Sequence, residues 1–150
     1  MSQASAEVRI RPLQDTDLGD ITGLDETIGG EYRPDIWEMR LGYYMRRDPD
    51  ASLVAVVDGK VVGFMLGEVR SGEFGLEQPT GWIEVMGVDP EVRGQAIGRR
   101  LADAMLEYFR SRGATSVRTL VDSDMAGIGQ FFEALGFAPA GLTPYVKNLA

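Results

Sequence analysis

Apolar and polar positions change period several times along the chain, and each change marks an element. Val8-Arg9-Ile10-Arg11 alternates apolar with charged residues and then meets Pro12, which predicts a short strand ending in a turn. Leu18, Ile21 and Leu24 recur at helical spacing behind a cap at Asp15 or Thr16, and Gly29-Gly30 breaks the run. Pro34 suits the first turn of a second helix carrying Ile36, Met39, Arg40, Tyr43 and Tyr44, with Asp48-Pro49 as its stop. Two apolar runs, 53–57 and 60–66, flank Asp58-Gly59 and predict a hairpin with a two-residue turn.

Residues 71–80 are rich in Gly, Glu and Pro and read as a loop; 82–88 then reads as a buried strand ended by Asp89-Pro90. Ile97, Leu101, Ala104, Met105 and Tyr108 trace one helical face up to Gly113. Residues 116–121 form the next expected strand, and Ile128, Phe131, Phe132 and Leu135 outline a last helix stopping at Gly136. Phe137 and the run 145–149 are expected to supply closing strands. The order β-α-α-β-β-β-α-β-α-β predicts a mixed α/β sandwich, with an antiparallel meander feeding a strand-loop-helix unit, as a single domain over residues 1–150.

The 150 residues include no cysteine and no histidine. Thiolate nucleophiles, Ser-His-Asp arrangements and most zinc sites are thereby excluded, and no metal centre is expected. Acid and base roles fall to Asp, Glu, Tyr, Lys or solvent. Fifteen basic against twenty-three acidic residues leave a formal charge of −8, which disfavours nucleic acid and anionic lipid and suits an amine-bearing partner. The first residues lack the pattern of a signal peptide, and no run approaches a membrane span, so a cytoplasmic location is expected.

The chemistry concentrates where the buried strand meets a helix start. Val88-Asp89-Pro90-Glu91-Val92 leads into Arg93-Gly94-Gln95-Ala96-Ile97-Gly98-Arg99-Arg100. The first N–H groups of a helix have no internal partner and carry the positive end of its dipole, so they accept a phosphate or pyrophosphate. Gly94 and Gly98, with Ala96 between them, let the backbone approach an anion closely, and Arg93, Arg99 and Arg100 add positive charge. The same pattern also describes a plain helix entry with solvated arginines. No Gly-x-Gly-x-x-Gly or Gly-Lys-Ser/Thr is present, so dinucleotide and P-loop sites fit poorly.

The run Val88-x-Pro90-x-x-Arg93-Gly94-x-x-Ile97-Gly98-x-x-Leu101 resembles the acyl-CoA signature of the GNAT superfamily of N-acetyltransferases, with Ala96 where the middle glycine is expected. Phe131-Phe132-Glu133-Ala134-Leu135-Gly136-Phe137 is similar to that family's late helix ending, and the element order from Val8 to Leu149 follows the family's. The resemblance implies a central, mostly antiparallel sheet whose fourth and fifth strands splay, flanked by helices. It implies acetyl-CoA as cosubstrate, with Met86, Gly87 and Val88 facing the pantetheine arm. Arg93, Gly94, Gln95, Ala96, Ile97, Gly98 and Arg99 would cradle the pyrophosphate, and Phe132 would line the cofactor site. Direct transfer to a primary amine, on a small molecule or a protein, in a ternary complex is the implied reaction. The rivals are a degenerate acyl-CoA sensor and a nucleotide-phosphate binder. Family habit and an edge at the closing strands suggest a homodimer.

Acyl transfer needs a base, because an amine of lysine-type pKa, about 10.4, arrives protonated. Strand alternation puts Glu84 on the face expected to carry Trp82, Met86 and Val88, making it the candidate base; an outward or ion-paired strand carboxylate is the bland reading. The family's usual tyrosine acid is replaced by Phe132, and Tyr145 is the substitute considered. Met125 stands where an asparagine is common. Acceptor recognition is expected from Tyr32, Trp37, Tyr43 and Tyr44 with Glu31, Asp35, Glu73 and Glu77, although aromatics at helical spacing more often face a core.

Overall fold

The computed structural model describes residues 7–71, 78–93, 96–122 and 126–150. They form two compact units, residues 1–120 and 121–150. In the first, strands β1 (Arg9–Pro12), β2 (Leu53–Val57), β3 (Lys60–Arg70), β4 (Thr80–Val88) and β5 (Ser116–Thr119) make one sheet in the order β1-β2-β3-β4-β5. The first four are antiparallel neighbours, and β5 runs parallel to β4. Helices α1 (Leu18–Gly29), α2 (Pro34–Arg47) and α3 (Ile97–Ser111) cover the sheet. This is the mixed α/β architecture expected from the element order.

Local chemistry sets most boundaries. Asp17 starts α1: its buried carboxylate accepts the Gln14 backbone N–H at 2.9 Å and pairs with Arg11 at 2.7 Å. Gly30, at φ +82°, closes that helix in the left-handed region. Pro34 opens α2. The hairpin turn has φ of 51° at Asp58 and 78° at Gly59, the doubly positive pair that a twisted two-residue connection requires.

The two faces of the sheet carry different cores. On one, Ile21 and Leu24 of α1 and Trp37, Leu41 and Tyr44 of α2 pack on Val54, Phe64 and Leu66. Trp37 meets Phe64 edge to face at 5.3 Å between ring centroids. On the other, α3 buries Ile97, Leu101, Met105 and Phe109. That helix lies so close that a Cβ at Gly81 would stand 2.5 Å from the Phe109 ring. Truncating an aromatic as buried as Trp37 or Phe109 costs about 3–5 kcal/mol, a large share of a typical domain stability of about 5–15 kcal/mol.

Two departures from simple alternation matter for the site. Between β3 and β4, Leu66 pairs with Val85 but Gly67 pairs with Ile83, so Glu84 is an extra residue, a β-bulge. A Cβ at Gly67 would fall 2.0 Å from the Trp82 carbonyl oxygen, so the bulge requires glycine opposite it. Secondly, β4 and β5 pair only from Thr80↔Ser116 to Ile83↔Thr119. The Thr119 hydroxyl donates to the Ile83 carbonyl at 2.9 Å as the last rung, and β4 continues to Val88 with no strand of this sheet beside that edge among the described residues.

The second unit contains α4 (Ala126–Ala134), followed by Gly136 at φ +94°. Phe132 is buried between Phe131 and Phe137, each at 5.1 Å centroid distance. The expected closing strands are not formed: residues 137–150 contain no strand. Pro139 and Pro144 lack the N–H that a ladder needs, and β-propensity has force only where a neighbouring strand is present to pack against. No helix among the described residues is long and apolar enough to cross a membrane.

Candidate active site

The bulge re-aims Glu84. Because Trp82 opposes Glu68 and Val85 opposes Leu66, these residues share the face covered by α1 and α2. Met86 and Val88 oppose Met65 and Gly63, and a Cβ on Gly63 would meet Ile97 and Leu101, so this pair faces α3. Glu84 therefore shares a face with Trp82 but not with Met86 and Val88, correcting the simple alternation expected from sequence. Its carboxylate pairs with Arg70 at 2.8 Å, on the Glu68 side of the sheet.

That contact leads to a polar cluster that the sequence did not reveal. Glu68 is 1% exposed and accepts hydrogen bonds from the Tyr43 hydroxyl at 2.7 Å and from Arg47 at 3.2 Å. Arg70 Nε stands 3.3 Å from it, and the Arg70 guanidinium lies over the Trp82 ring at 5.2 Å. Burial would raise the Glu68 pKa, but hydrogen bonds from Tyr43 and Glu84 and the charge of Arg70 outweigh it and hold the carboxyl below its ordinary range. Glu84 is shifted the other way: burial, then its hydrogen bond with Glu68, raise it against the opposing pull of Arg70. The Glu84 side chain is 25% accessible, while the residue as a whole is exposed because its backbone lies on the open edge of β4. A carboxyl with raised pKa, one side in a polar cluster and the other at a strand edge, is suited to accepting a proton. The signal for Glu68 and Arg70 was their i, i+2 placement at the end of a strand otherwise apolar and buried.

The strand-to-helix segment is the second half of the candidate site. Asp89 N–H donates to the Val62 carbonyl at 2.8 Å, and Pro90–Val92 form one 3-10 turn. Arg93 is exposed, its Nε donating to the Val88 carbonyl at 3.2 Å. Gly94 and Gln95 lie outside the described residues, as do Glu73, Glu77 and Met125. Ala96 adopts φ 60°, ψ 24° immediately before α3, and its carbonyl accepts the first helical bond from Arg100 N at 2.9 Å. The N–H groups of Ile97, Gly98 and Arg99 have no intrahelical partner, no side chain among the described residues caps this end, and its first turn carries no acidic residue. It contrasts with α1 and α2, which hold Asp20 and Asp35 in their first turns. Arg99 is exposed and only 3.8 Å from Asp103, a pair worth little in solvent.

The left-handed backbone at Ala96 is one that glycine adopts without the steric cost of a Cβ. Ala96→Gly is expected to raise stability by up to about 1 kcal/mol, the cost of a left-handed alanine less the greater freedom of an unfolded glycine. Thermal unfolding checks this, and a fall in midpoint would show that the strain is absent.

Of the other residues singled out, Trp37 and Tyr44 are buried in the α1–α2 core, whereas Tyr32 and Tyr43 are exposed. Tyr32, Ile36, Met39 and Tyr43 form an exposed apolar stripe along α2 and the residues before it. Burial, then the charges of Glu84 and Glu68, push the Tyr44 hydroxyl well above the ordinary tyrosine range. Tyr145 stands 95% exposed in the second unit, outside any helix or strand.

A strand edge opened beside a β-bulge, continued into an uncapped helix N-terminus, is the layout of an acyl-CoA-dependent transferase fold. The sequence profile of the acetyltransferase (GNAT) family matches residues 18–137, and the chain belongs to that family. It is 39% identical over 90 residues to a mycothiol acetyltransferase of Thermobispora bispora, a match covering 60% of this chain and 30% of that protein. An uncharacterized N-acetyltransferase of Methanocaldococcus jannaschii is 33% identical over 95 residues, covering 63% of this chain and 42% of that one. The matched segment thus spans less than half of these relatives. In fold, the chain is similar to an aminoglycoside N-acetyltransferase solved with CoA, at TM-score 0.84 and 18% identity over the whole of both chains. It is also similar to Ard1 from Thermoplasma volcanium, at TM-score 0.76 and 26% identity over 89% of this chain and 84% of that one.

Proposed function

We propose that the chain transfers an acetyl group from acetyl-CoA to a primary amine, by direct attack in a ternary complex. The observation that carries this reading is Glu84, a carboxyl of raised pKa that the bulge sets at the open edge of β4, leading to the uncapped start of α3. The amide groups of Ile97, Gly98 and Arg99, with Arg93, receive the pyrophosphate of the cosubstrate. The open edge from Glu84 to Val88, with Met86, Gly87 and Val88, gives the pantetheine amides a strand-like partner. Glu84, directly or through one water, takes the proton from the acceptor ammonium. The freed nitrogen attacks the thioester carbonyl, the C–S bond breaks as the nitrogen gives up its second proton to solvent, and the departing thiolate takes a proton from solvent. Phe132 offers no hydroxyl for that last step, and direct transfer needs no cysteine.

The exposed stripe Tyr32, Ile36, Met39 and Tyr43 beside Asp35, within a chain of charge −8, favours a cationic amine with an apolar flank. Relatives named for mycothiol and aminoglycosides support a small-molecule acceptor. Incubating the chain with acetyl-CoA and a panel comprising an alkyl diamine, an amino sugar, an aminoglycoside and a lysine-bearing peptide tests this. Free thiol release with an acetylated amine in the mass spectrum is the expected result. Acetyl-CoA binding without thiol release from any member would favour the sensor reading, for which the missing phenol at Phe132 speaks.

A further inference from the structure

Resting on the reading of Glu84 as the base, we propose that Glu68 is a positioning residue, joined to Glu84 through Arg70 so that the two carboxyls titrate as one pair. Glu68 is almost fully enclosed, and a carboxylate so buried is tolerated only when donors surround it. Three do: the Tyr43 hydroxyl and Arg47 from α2, and Arg70 from its own strand. Arg70 is shared, with Nε toward Glu68 and the terminal nitrogen 2.8 Å from Glu84. Its stacking on Trp82 fixes the plane from which both contacts are made.

The arrangement has a chemical consequence. Glu68 keeps its charge because α2 holds it, and that fixed negative charge faces Glu84. It strengthens Glu84 as a proton acceptor, while Arg70 keeps Glu84 from being permanently protonated. The groups around the pair are Tyr43 and Arg47 from α2 on Glu68, Tyr44 from α2 and Arg70 from β3 beside Glu84, and Arg118 from β5, which pairs with Trp82 and so shares its face.

Carbon-13 titration of side-chain carboxyl resonances in the full chain, without ligand, tests the coupling, with Glu84→Gln assigning the Glu84 signal. In the wild type, both resonances should show two steps, as interacting sites do. Glu68→Gln removes the facing charge, so Glu84 should titrate at lower pH. Arg70→Gln removes the opposing cation, so the upper step should move to higher pH. Tyr43→Phe, at an exposed position that leaves the packing intact, should raise the lower step, which belongs mainly to Glu68. It keeps the test available if Glu68→Gln fails to fold. A Glu84 titration that stays in place in Glu68→Gln, or moves the same way there as in Arg70→Gln, overturns the proposal. Turnover does not enter this measurement. Should Glu84→Gln retain its kcat while the pair couples as described, the base assignment falls and the coupling stands; independent titrations sink the coupling whatever the kcat.

Discussion

Glu84→Gln is expected to lower kcat by about 10²–10⁴-fold, the usual loss for a general base, while acetyl-CoA affinity stays unchanged. The variant keeps the bulge and the shape of the side chain and removes only the titrating group. The acidic limb of the wild-type pH profile, which reports deprotonation of Glu84, must vanish with it. Stability supplies an independent reading. The folded-state pKa of Glu84 is raised, so its stabilising contribution is full below the unfolded carboxylate value and is lost as pH rises through the folded one. A neutral glutamine loses nothing over that range. The melting temperature of Glu84→Gln relative to wild type should therefore rise as pH increases above the ordinary carboxylate range. A kcat within about threefold of wild type would reduce Glu84 to an ion-paired strand residue.

Gly98→Asp is expected to weaken acetyl-CoA binding by about 100-fold or more, roughly 3 kcal/mol, because it sets a carboxylate among the amides that would meet the pyrophosphate. The same substitution replaces a helical glycine and adds an anion to the positive end of a helix whose first turn has none. Both effects favour the fold, by about 0.3–1 kcal/mol each. Affinity and thermal stability should thus move in opposite directions, which separates a blocked cradle from a damaged helix. Gly98→Ala, neutral at the same place, serves as the control by calorimetry. Wild-type affinity in the Asp variant would relocate the cosubstrate.

The elements that sequence located well are those fixed by local chemistry. The hairpin at Asp58-Gly59, the close of α1 at Gly30 and the start of α2 at Pro34 each follow from a residue whose backbone preference decides the turn. The helix over 97–111 was legible because one apolar face runs its whole length. The bulge was not, because it exists only in the register between β3 and β4 and leaves no mark in the periodicity of β4 alone. Simple alternation consequently gave Glu84 the face of Trp82, Met86 and Val88, of which the bulge leaves it only Trp82. Glu68 and Arg70 were missed because β3 runs four residues beyond the apolar stretch that announced it, while the α2 partners of Glu68 lie more than twenty positions away and Arg70 reaches across to β4. The expected strand at Tyr145 failed for the converse reason: its β-forming residues are local, and residues 137–150 form no ladder to use them.

Glu84 is a supernumerary residue of the ladder, set where the opposite strand has only a glycine. In comparative terms, this divides the site into two inherited parts of unequal freedom. The side chain at position 84 contributes nothing to strand register, so its carboxylate can be exchanged with the sheet intact, a short route from a transferring relative to one that merely binds. Position 67 has no such freedom, since any larger residue collides with the Trp82 carbonyl. Among relatives that keep the extra residue, glycine at 67 and the insertion at 84 should travel together, whereas the identity of residue 84 should follow the chemistry each relative performs.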